Sequence, residues 1–349
     1  MFSSYKPQDV TILLKDITDM VTPLATRERE PLIQSGVPYY EMLPVEYVPS
    51  KAYLDMFFKA LDLYADMTAQ AVADVATKIC EAKHGNVVLV SLARAGTPIG
   101  ILIKRYIEGR LGVKVAHYTL SIIRGAGIDK NAMATILSRH SSADIQFVDG
   151  WTGKGAIARE LFAAVRDYPG VDTGLAVLSD PAGVAEHSGT HDDILIANSC
   201  LNSTVSGLLS RTFYRSDIIG PQDYHGAAFY SELADDDLTY TFIDTIESRF
   251  PEPKFIHEQQ EMATTGMDEV QRICRDFGIS DINLVKPGIG EATRVLLRRM
   301  PWKILVHSMD DSAHLGHLYR LAEEKNVQLE QYPLSNYRAC GLIRSLADN

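Results

Sequence analysis

The sequence predicts an α/β protein of two domains: a mainly parallel sheet with helices on both faces, followed by a small second α/β domain. Three observations lead there. Short apolar runs repeatedly end in Gly or Pro and pass into helical patterns, as in NVVLVSLARAGTPIGILIKRYIEGRLG, and strands that alternate with helices build parallel sheets. The chain has 349 residues, which suits about two domains at roughly 150 residues each. FPEPKF (250–255) puts two prolines into six residues and marks a linker. The expected division is residues 1–250, a linker at 251–265, and a tail domain at 266–349.

In order, residues 1–50 read as loop or lid, because SGVPYYEMLP mixes turn residues with exposed-type aromatics. Residues 51–84 carry apolar positions at three- and four-residue spacing without Pro or Gly, which predicts a long helix or helix pair. His84-Gly85-Asn86 stops it. Strands follow at VVLVSL, VKVAHYTLSII (113–123), DIQFVD (144–149) and GLAVLSD (174–180). RGAGIDKNA (124–132) is a polar loop between the second strand and the helical AMATILSRH. Residues 181–248 are irregular and rich in Ser, Thr, Asn and Asp. In the tail, EVQRICRDFG predicts a helix, and strand–helix alternation resumes after it.

Composition narrows the class. Hydrophobic residues make up 46% and charged residues 23%, as in core-forming globular proteins. No apolar run approaches the ~18–20 residues of a membrane span. MFSSYKPQDV lacks the basic-then-apolar layout of a signal peptide, so a cytosolic, membrane-free protein is expected. Cys80, Cys200, Cys274 and Cys340 are far apart, which speaks against a zinc site or a disulfide framework. The net charge is −11. Residues 282–349 hold nine Lys/Arg against seven Asp/Glu, so the acid excess lies in the rest of the chain.

FVDGWTGKGAI (147–157) is a strand, a glycine-rich turn and the start of a helix. The first N–H groups of a helix lack internal partners and its dipole is positive there, so an anion fits. Gly150, Gly153 and Gly155 allow close approach, Thr152 offers a hydroxyl, and Lys154 adds charge or is solvated. A Walker A loop is excluded: its first glycine would be Val148 and its Ser/Thr would be Gly155. The spacing is not a dinucleotide fingerprint either. SLARAGTPIG (91–100) is a second strand-to-helix loop, with Ala95 and Gly96 in the turn and Arg94 placed to clamp a phosphate. Arg124, Asp129 and Lys130 lie in the third loop, whose composition suits a mobile flap.

These loops together resemble a phosphoribosyltransferase. The resemblance implies a phosphoribosyltransferase-like parallel sheet, with Thr152, Gly153, Lys154 and Gly155 cradling the 5′-phosphate of phosphoribosyl pyrophosphate and Asp149 near the ribose and its Mg2+. It implies pyrophosphate at Ala95 and Gly96, with Arg94, Arg124, Asp129 and Asp149 as the catalytic set. The usual signature has two adjacent acids, whereas Asp149 is followed by Gly150. More narrowly, SLARAGTPIG, HYTLSIIRGAGID, FVDGWTGKGAI, AVLSDPAG and LNSTVSGLLSRT, in that order, resemble the StiP-type family linked to tellurite-resistance and stress operons. INLVKPGIGEATRVLLRR and YPLSNYRACGLI resemble the Pelota-type RNA-binding domain, similar to ribosomal proteins that bind kinked RNA. That implies RNA contacts at Lys286, Gly288, Gly290 and Arg294.

Alternatives stay open on the residues. NSCLNSTVSGLLSRT (from 198) crowds donors and acceptors; Asn198, Asn202, Ser203, Thr204 and Arg211 form either an acceptor-binding hood or a plain loop. A cysteine protease needs a thiolate, a base and an orienting group; Cys200 with His191 or His225 is the candidate, or Cys200 is a buried structural thiol. Asp192-Asp193 holds Mg2+ or is solvated, with solvation favoured. The tail binds RNA, with Arg294, Arg298 and Arg299 clustered on a helix, or is a structural or dimerisation module that would give a homodimer. The expected function is therefore a phosphoribosyltransferase using phosphoribosyl pyrophosphate, Mg2+ and an unidentified acceptor, expected to be a nitrogen; the alternatives are a non-catalytic phosphoribosyl-nucleotide sensor coupled to RNA binding and a cysteine protease using Cys200.

Overall fold

A computed structural model describes residues 2–254 and 265–343. The expected linker therefore lies mostly outside the described residues. Residues 1–50 are more than a loop. They contain β1 (Thr11–Ile12), β2 (Lys15–Asp16) and α1 (Thr26–Gln34). β1 forms the outer strand of the main sheet, paired in parallel with a later strand.

Next comes α2 (Lys51–Ala82), a single 32-residue helix. Its buried positions Phe57, Leu61, Tyr64, Ala65, Val72, Ala76 and Ile79 recur at the helical period. Then follow β3 (Val87–Leu92), α3 (Gly96–Tyr106), β4 (Val115–Leu120), the small hairpin β5 (Ile122–Ile123) and β6 (Gly127–Ile128), and α4 (Lys130–Leu137). β7 (Ile145–Trp151), α5 (Ala156–Val165), β8 (Leu175–Ser179) and β9 (His187–Thr190) complete the alternating part. A stretch of short 3-10 turns leads through β10 (Gly226–Ala227) to α6 (Thr239–Glu247).

The main sheet has the order β1-β4-β3-β7-β8-β9 and is parallel throughout. Side chains of β3 alternate between its faces. Val87 and Leu89 join α2 and α3 in one apolar layer, while Val88 and Val90 join α4 and α5 in the other. All six β3 residues are buried, as expected of a strand covered on both sides. The chain steps from β3 to β4 through α3 on one face, then returns past β3 to β7 through α4 on the other. The strand order thus reverses between β3 and β7. Close packing sets one glycine here: a Cβ on Gly100 of α3 would lie 2.0 Å from Ser91 Oγ and 2.4 Å from His117 Nε2. That fully buried His117 bonds Ser91 Oγ at 2.7 Å and the Asp9 carbonyl at 2.8 Å, and burial pushes its pKa down to about 4.

The tail contains α7 (Gly266–Asp276), β11 (Val285–Pro287), α8 (Ile289–Arg298), β12 (Pro301–Val306), α9 (Ser312–Glu324), β13 (Gln328–Gln331) and β14 (Ala339–Ile343). Its sheet runs β11-β14-β12-β13, with β12 and β13 parallel and β14 antiparallel to both its neighbours. The fold is thus an open parallel α/β sheet with a small C-terminal α/β domain. The two parts share one apolar core: Ile289, Ala292, Leu315 and Leu318 of the tail join Phe57, Tyr64 and Cys200 of the first part in a continuous cluster. The α2 hydroxyls of Tyr53 and Tyr64 donate to tail carbonyls of Leu297 and His314, at 2.6 and 2.8 Å.

Candidate functional site

In an open α/β sheet, ligands bind outside the carboxyl ends of the strands where the strand order reverses. Here the loops leaving the two strands at that point are Ala93–Ala95 after β3 and Thr152–Gly155 after β7. They are the two glycine loops singled out in the sequence. A Cβ on Gly96 would lie 2.7 Å from the Val148 carbonyl and 3.2 Å from Asp149 Oδ1, so α3 begins against the end of β7.

Asp149 stands at the base of this crevice. Its Oδ1 accepts from Gly150 N–H at 2.8 Å. Burial raises its pKa to about 6, against the Gly150 N–H and the charge of Arg294, which favour the anion. On one side begins α5. Gly155, at φ +70°, turns the chain into the helix. The N–H groups of Gly153 to Ala158 find no acceptor among the described residues, as a helix start with no cap would leave them.

On the other side are arginines. Arg94 pairs with Glu46 at 2.9 Å and donates to the Leu209 carbonyl at 2.9 Å. Arg211 donates to the Tyr39 and Met42 carbonyls at 2.7 and 3.0 Å. Burial pushes the Arg211 guanidinium down to about 10, and the charges of Arg29 and Arg94 add to it. Arg94 and Arg211 therefore lie close to Glu46, with Arg29 near Arg211.

Several expected roles change. Arg94 is no loose clamp, because Glu46 and Leu209 already occupy its guanidinium. Thr152 is buried and its hydroxyl donates to Asp180 Oδ1 at 2.5 Å, so its proton is not free for a phosphate. Lys154 is not solvated: its ammonium donates to the Ile282 and Val285 carbonyls of the tail at 2.6 and 3.1 Å. Asp129 is a buried helix cap, accepting from Ala132 N–H at 2.9 Å and His225 N–H at 2.5 Å. Arg124 stays exposed at the hairpin tip.

The hood residues divide. Asn198 reaches the crevice, with Nδ2 3.5 Å from the Ala95 carbonyl and a buried, unpartnered Oδ1. Asn202, Ser203 and Thr204 instead hold local structure: Asn202 caps a 3-10 turn, and Ser203 donates to Glu46. Asp193 is not solvated. It is buried, and both carboxylate oxygens accept from Ile289 N–H at 3.0 Å, with Arg338 N–H at 2.9 Å. Burial still raises its pKa to about 6. It therefore occupies the N-terminus of α8.

That contact redirects the expected RNA loop. Gly288 and Gly290 face Asp193 and Ser199 of the first part, and Arg294 donates to the Ser199 carbonyl at 3.0 Å with its guanidinium 4.9 Å from the Trp151 ring centre. Burial lowers the pKa of Lys286; the Glu291 charge opposes this, and the charges of Arg299 and Arg124 add to it. Cys200 is wholly buried in the apolar core. His191 instead bonds the Asp180 carbonyl and His225 the Ser121 hydroxyl.

Sequence reasoning missed Arg29, Glu46 and Asp180. Asp180 had a signal, since it ends a strand in AVLSDPAG as Asp149 does. Glu46 and Arg29 had none, lying in a region without periodicity. Among the described residues, no cluster of three His, Cys, Asp or Glu could hold a metal. Mg2+ commonly binds through one or two carboxylates plus substrate phosphates, and Asp149 fits that arrangement as a single ligand. No helix among the described residues is long and apolar enough to cross a membrane.

A doubly wound parallel sheet whose strand order reverses between β3 and β7, fused to a small α/β tail, defines the class. The chain belongs to the StiP family. The family model described as tellurite-like stress resistance cysteine protease StiP matches residues 3–247, and that of the PELOTA RNA binding domain matches residues 264–345. A protein of Acinetobacter baylyi named cysteine protease StiP is 35% identical, over 98% of this chain and 94% of its own length. Two solved structures show distant likeness. A hypoxanthine-guanine phosphoribosyltransferase from Bacillus anthracis has TM-score 0.28 and 14% identity, covering 36% of this chain and 77% of that one. A hypoxanthine phosphoribosyltransferase from Trypanosoma cruzi, complexed with the product IMP, has TM-score 0.29 and 14% identity, covering 49% and 90%. At these scores the likeness carries no argument; the fold rests on the sheet order itself.

Proposed function

We propose that the chain is a phosphoribosyl-transferring enzyme whose crevice binds phosphoribosyl pyrophosphate and whose tail binds RNA. One observation carries the reading: two sets of anion-seeking groups flank a single acid at the point where the sheet order reverses. The free N–H groups at the start of α5 suit the 5′-phosphate. Arg29, Arg94 and Arg211 leave net positive charge on the other side, suited to pyrophosphate. Asp149 lies between them, where the ribose would sit.

Loss of pyrophosphate from ribose C1 builds positive charge at C1 and negative charge on the leaving group. N–H dipoles and guanidinium groups preorganised in the crevice would stabilise the leaving charge. Asp149, mostly ionised above pH 6, would face the developing cation. Mg2+ would neutralise pyrophosphate oxygens when bound with the substrate. The match to the PELOTA RNA binding domain supports the RNA half.

Titration calorimetry of phosphoribosyl pyrophosphate, with and without Mg2+, tests the first half on wild type and Asp149→Ala. Mg2+-dependent binding that the variant weakens is the expected result. Wild-type protein that binds nothing would overturn it. The protease reading finds less support, because the Cys200 sulfur has no solvent exposure and a nucleophilic thiol must meet its substrate.

A further inference from the structure

Part of the cations of this protein are paired with carboxylates. Arg94, Arg105, Arg272, Arg294 and Arg338 each have a carboxylate partner. Among the cations without a carboxylate partner, four stand close to one another. Arg124, Lys154, Arg159 and Lys286 form no ion pair among the described residues. Yet they converge from both domains of an acidic chain.

The geometry that gathers them is specific. Lys154 Nζ donates to the Val285 carbonyl at 3.1 Å, beside Lys286 on β11. Arg159 donates to the Lys154 carbonyl at 3.0 Å. Gly125 N–H, next to Arg124, donates to Glu160 of α5 at 3.2 Å, which holds the hairpin tip along that helix. Burial, and then the charges of Lys286 and Arg124, pushes the Lys154 ammonium down to about 8. Of the nearby acids, Glu291 is paired with Arg294, while Glu160 and Asp281 accept from the neutral N–H groups of Gly125 and Asn283 and keep their charge.

The notch is open. A Cβ added at Gly125, Gly127 or Gly153 would meet nothing within 4 Å. Beside it Phe162 is 58% exposed, three residues after Arg159 and so on the same side of α5. The four cations are carried by four different elements, whereas one phosphate monoester presents a single compact group. Several phosphodiesters in a row match them better, and an exposed aromatic ring offers a stacking platform for an unpaired base.

We propose that this notch, built from the β5–β6 tip, the β7–α5 loop, α5 and β11, binds single-stranded RNA, with phosphates on Arg124, Lys154, Arg159 and Lys286 and a base on Phe162. Neither domain supplies the site alone. The inference rests on the RNA half of the proposed function and moves the contact surface away from the Gly288–Gly290 loop, which is spent on Asp193.

The test uses the full chain and a fluorescein-labelled twelve-nucleotide uridine RNA, with anisotropy read between low and moderate salt. Lys286→Ala and Arg159→Ala are each expected to weaken binding roughly three- to tenfold and to reduce the salt slope by about one. Phe162→Ala is expected to weaken binding with the slope unchanged. RNA that binds wild type but ignores all three variants would overturn the notch and leave the RNA reading of the tail standing. Wild type that binds no RNA at low salt, or binds only anionic vesicles, would overturn both. Unaltered melting of the variants excludes misfolding as the cause.

Discussion

The molecule contains two loops built on the same plan. In both, a strand runs through glycine into a helix of ten residues: β7 into α5, and β11 into α8. Both helix starts seek an anion for the same reason. At α5 the N–H groups of Gly153 to Ala158 have no acceptor among the described residues. At α8 the carboxylate of Asp193 takes the Ile289 N–H, and Arg338 N–H joins it. A glycine loop before a helix therefore announces that an anion belongs there. It does not say whether the anion is a ligand or the protein's own side chain.

This contrast can be broken most directly at Asp193. Replacement by Ala would leave two buried N–H groups without acceptors, a loss of about 1–3 kcal/mol for each. We expect Asp193→Ala to lower unfolding free energy by about 3 kcal/mol in urea titration, the largest effect of any single crevice residue. An unchanged midpoint would show that the contact is dispensable. At α5 the opposite is expected. Gly153→Val should weaken phosphoribosyl pyrophosphate binding about a hundredfold, roughly 2.7 kcal/mol, with the melting temperature nearly unchanged, because a Cβ there meets nothing. A variant that binds normally would remove α5 from the site.

Acid sharpens the comparison further. Burial raises the Asp193 carboxyl to about 6 from an unfolded value near 4. Between pH 4 and 6 the native state then holds the proton more often than the unfolded state does. This group's contribution to stability therefore grows as pH falls from 7 toward 4, by about 2 kcal/mol. Asp311 works the other way. The His307 and His314 hydrogen bonds hold its carboxyl down at about 2, so what it adds is present above pH 4 and lost as pH falls toward 2. Asp193→Asn should flatten the rise between pH 7 and 5 in chemical denaturation; a curve parallel to wild type would remove Asp193 as its source. The smallest expected effect is at Cys200. Alkylation of the folded protein should label the half-buried Cys80 and Cys274 and spare Cys200 and Cys340. Rapid labelling of Cys200 would revive the thiol nucleophile.

Much of the fold was legible because its signals are local. The helix at 51–84 and the strands after it announce themselves by period and by the glycines that end them. β1 was not legible: two residues, Thr11 and Ile12, have no periodicity to read, and they join the sheet only because β4 offers an edge. β9, His-Ser-Gly-Thr, reads as polar loop, yet Gly189 lies so close to α2 that a Cβ would fall 2.3 Å from the Ala71 carbonyl. At the site, the loop positions were legible but the partners were not. Thr152, Lys154, Arg94 and Asp193 all looked available, and each is engaged by a residue 28 to 131 positions away in the chain. Long-range pairing of that kind leaves no trace in spacing.

The shared apolar cluster has one more consequence. Two family models divide the chain near residue 250, but the hydrophobic layer runs without a gap from α2 into α8 and α9. Cutting there would expose Ile289, Leu315 and Leu318 on one piece and Phe57 and Tyr64 on the other. The two halves thus match different family models yet share one core: a calorimetric melt of the whole chain should show one peak, and neither half should have a melting point of its own.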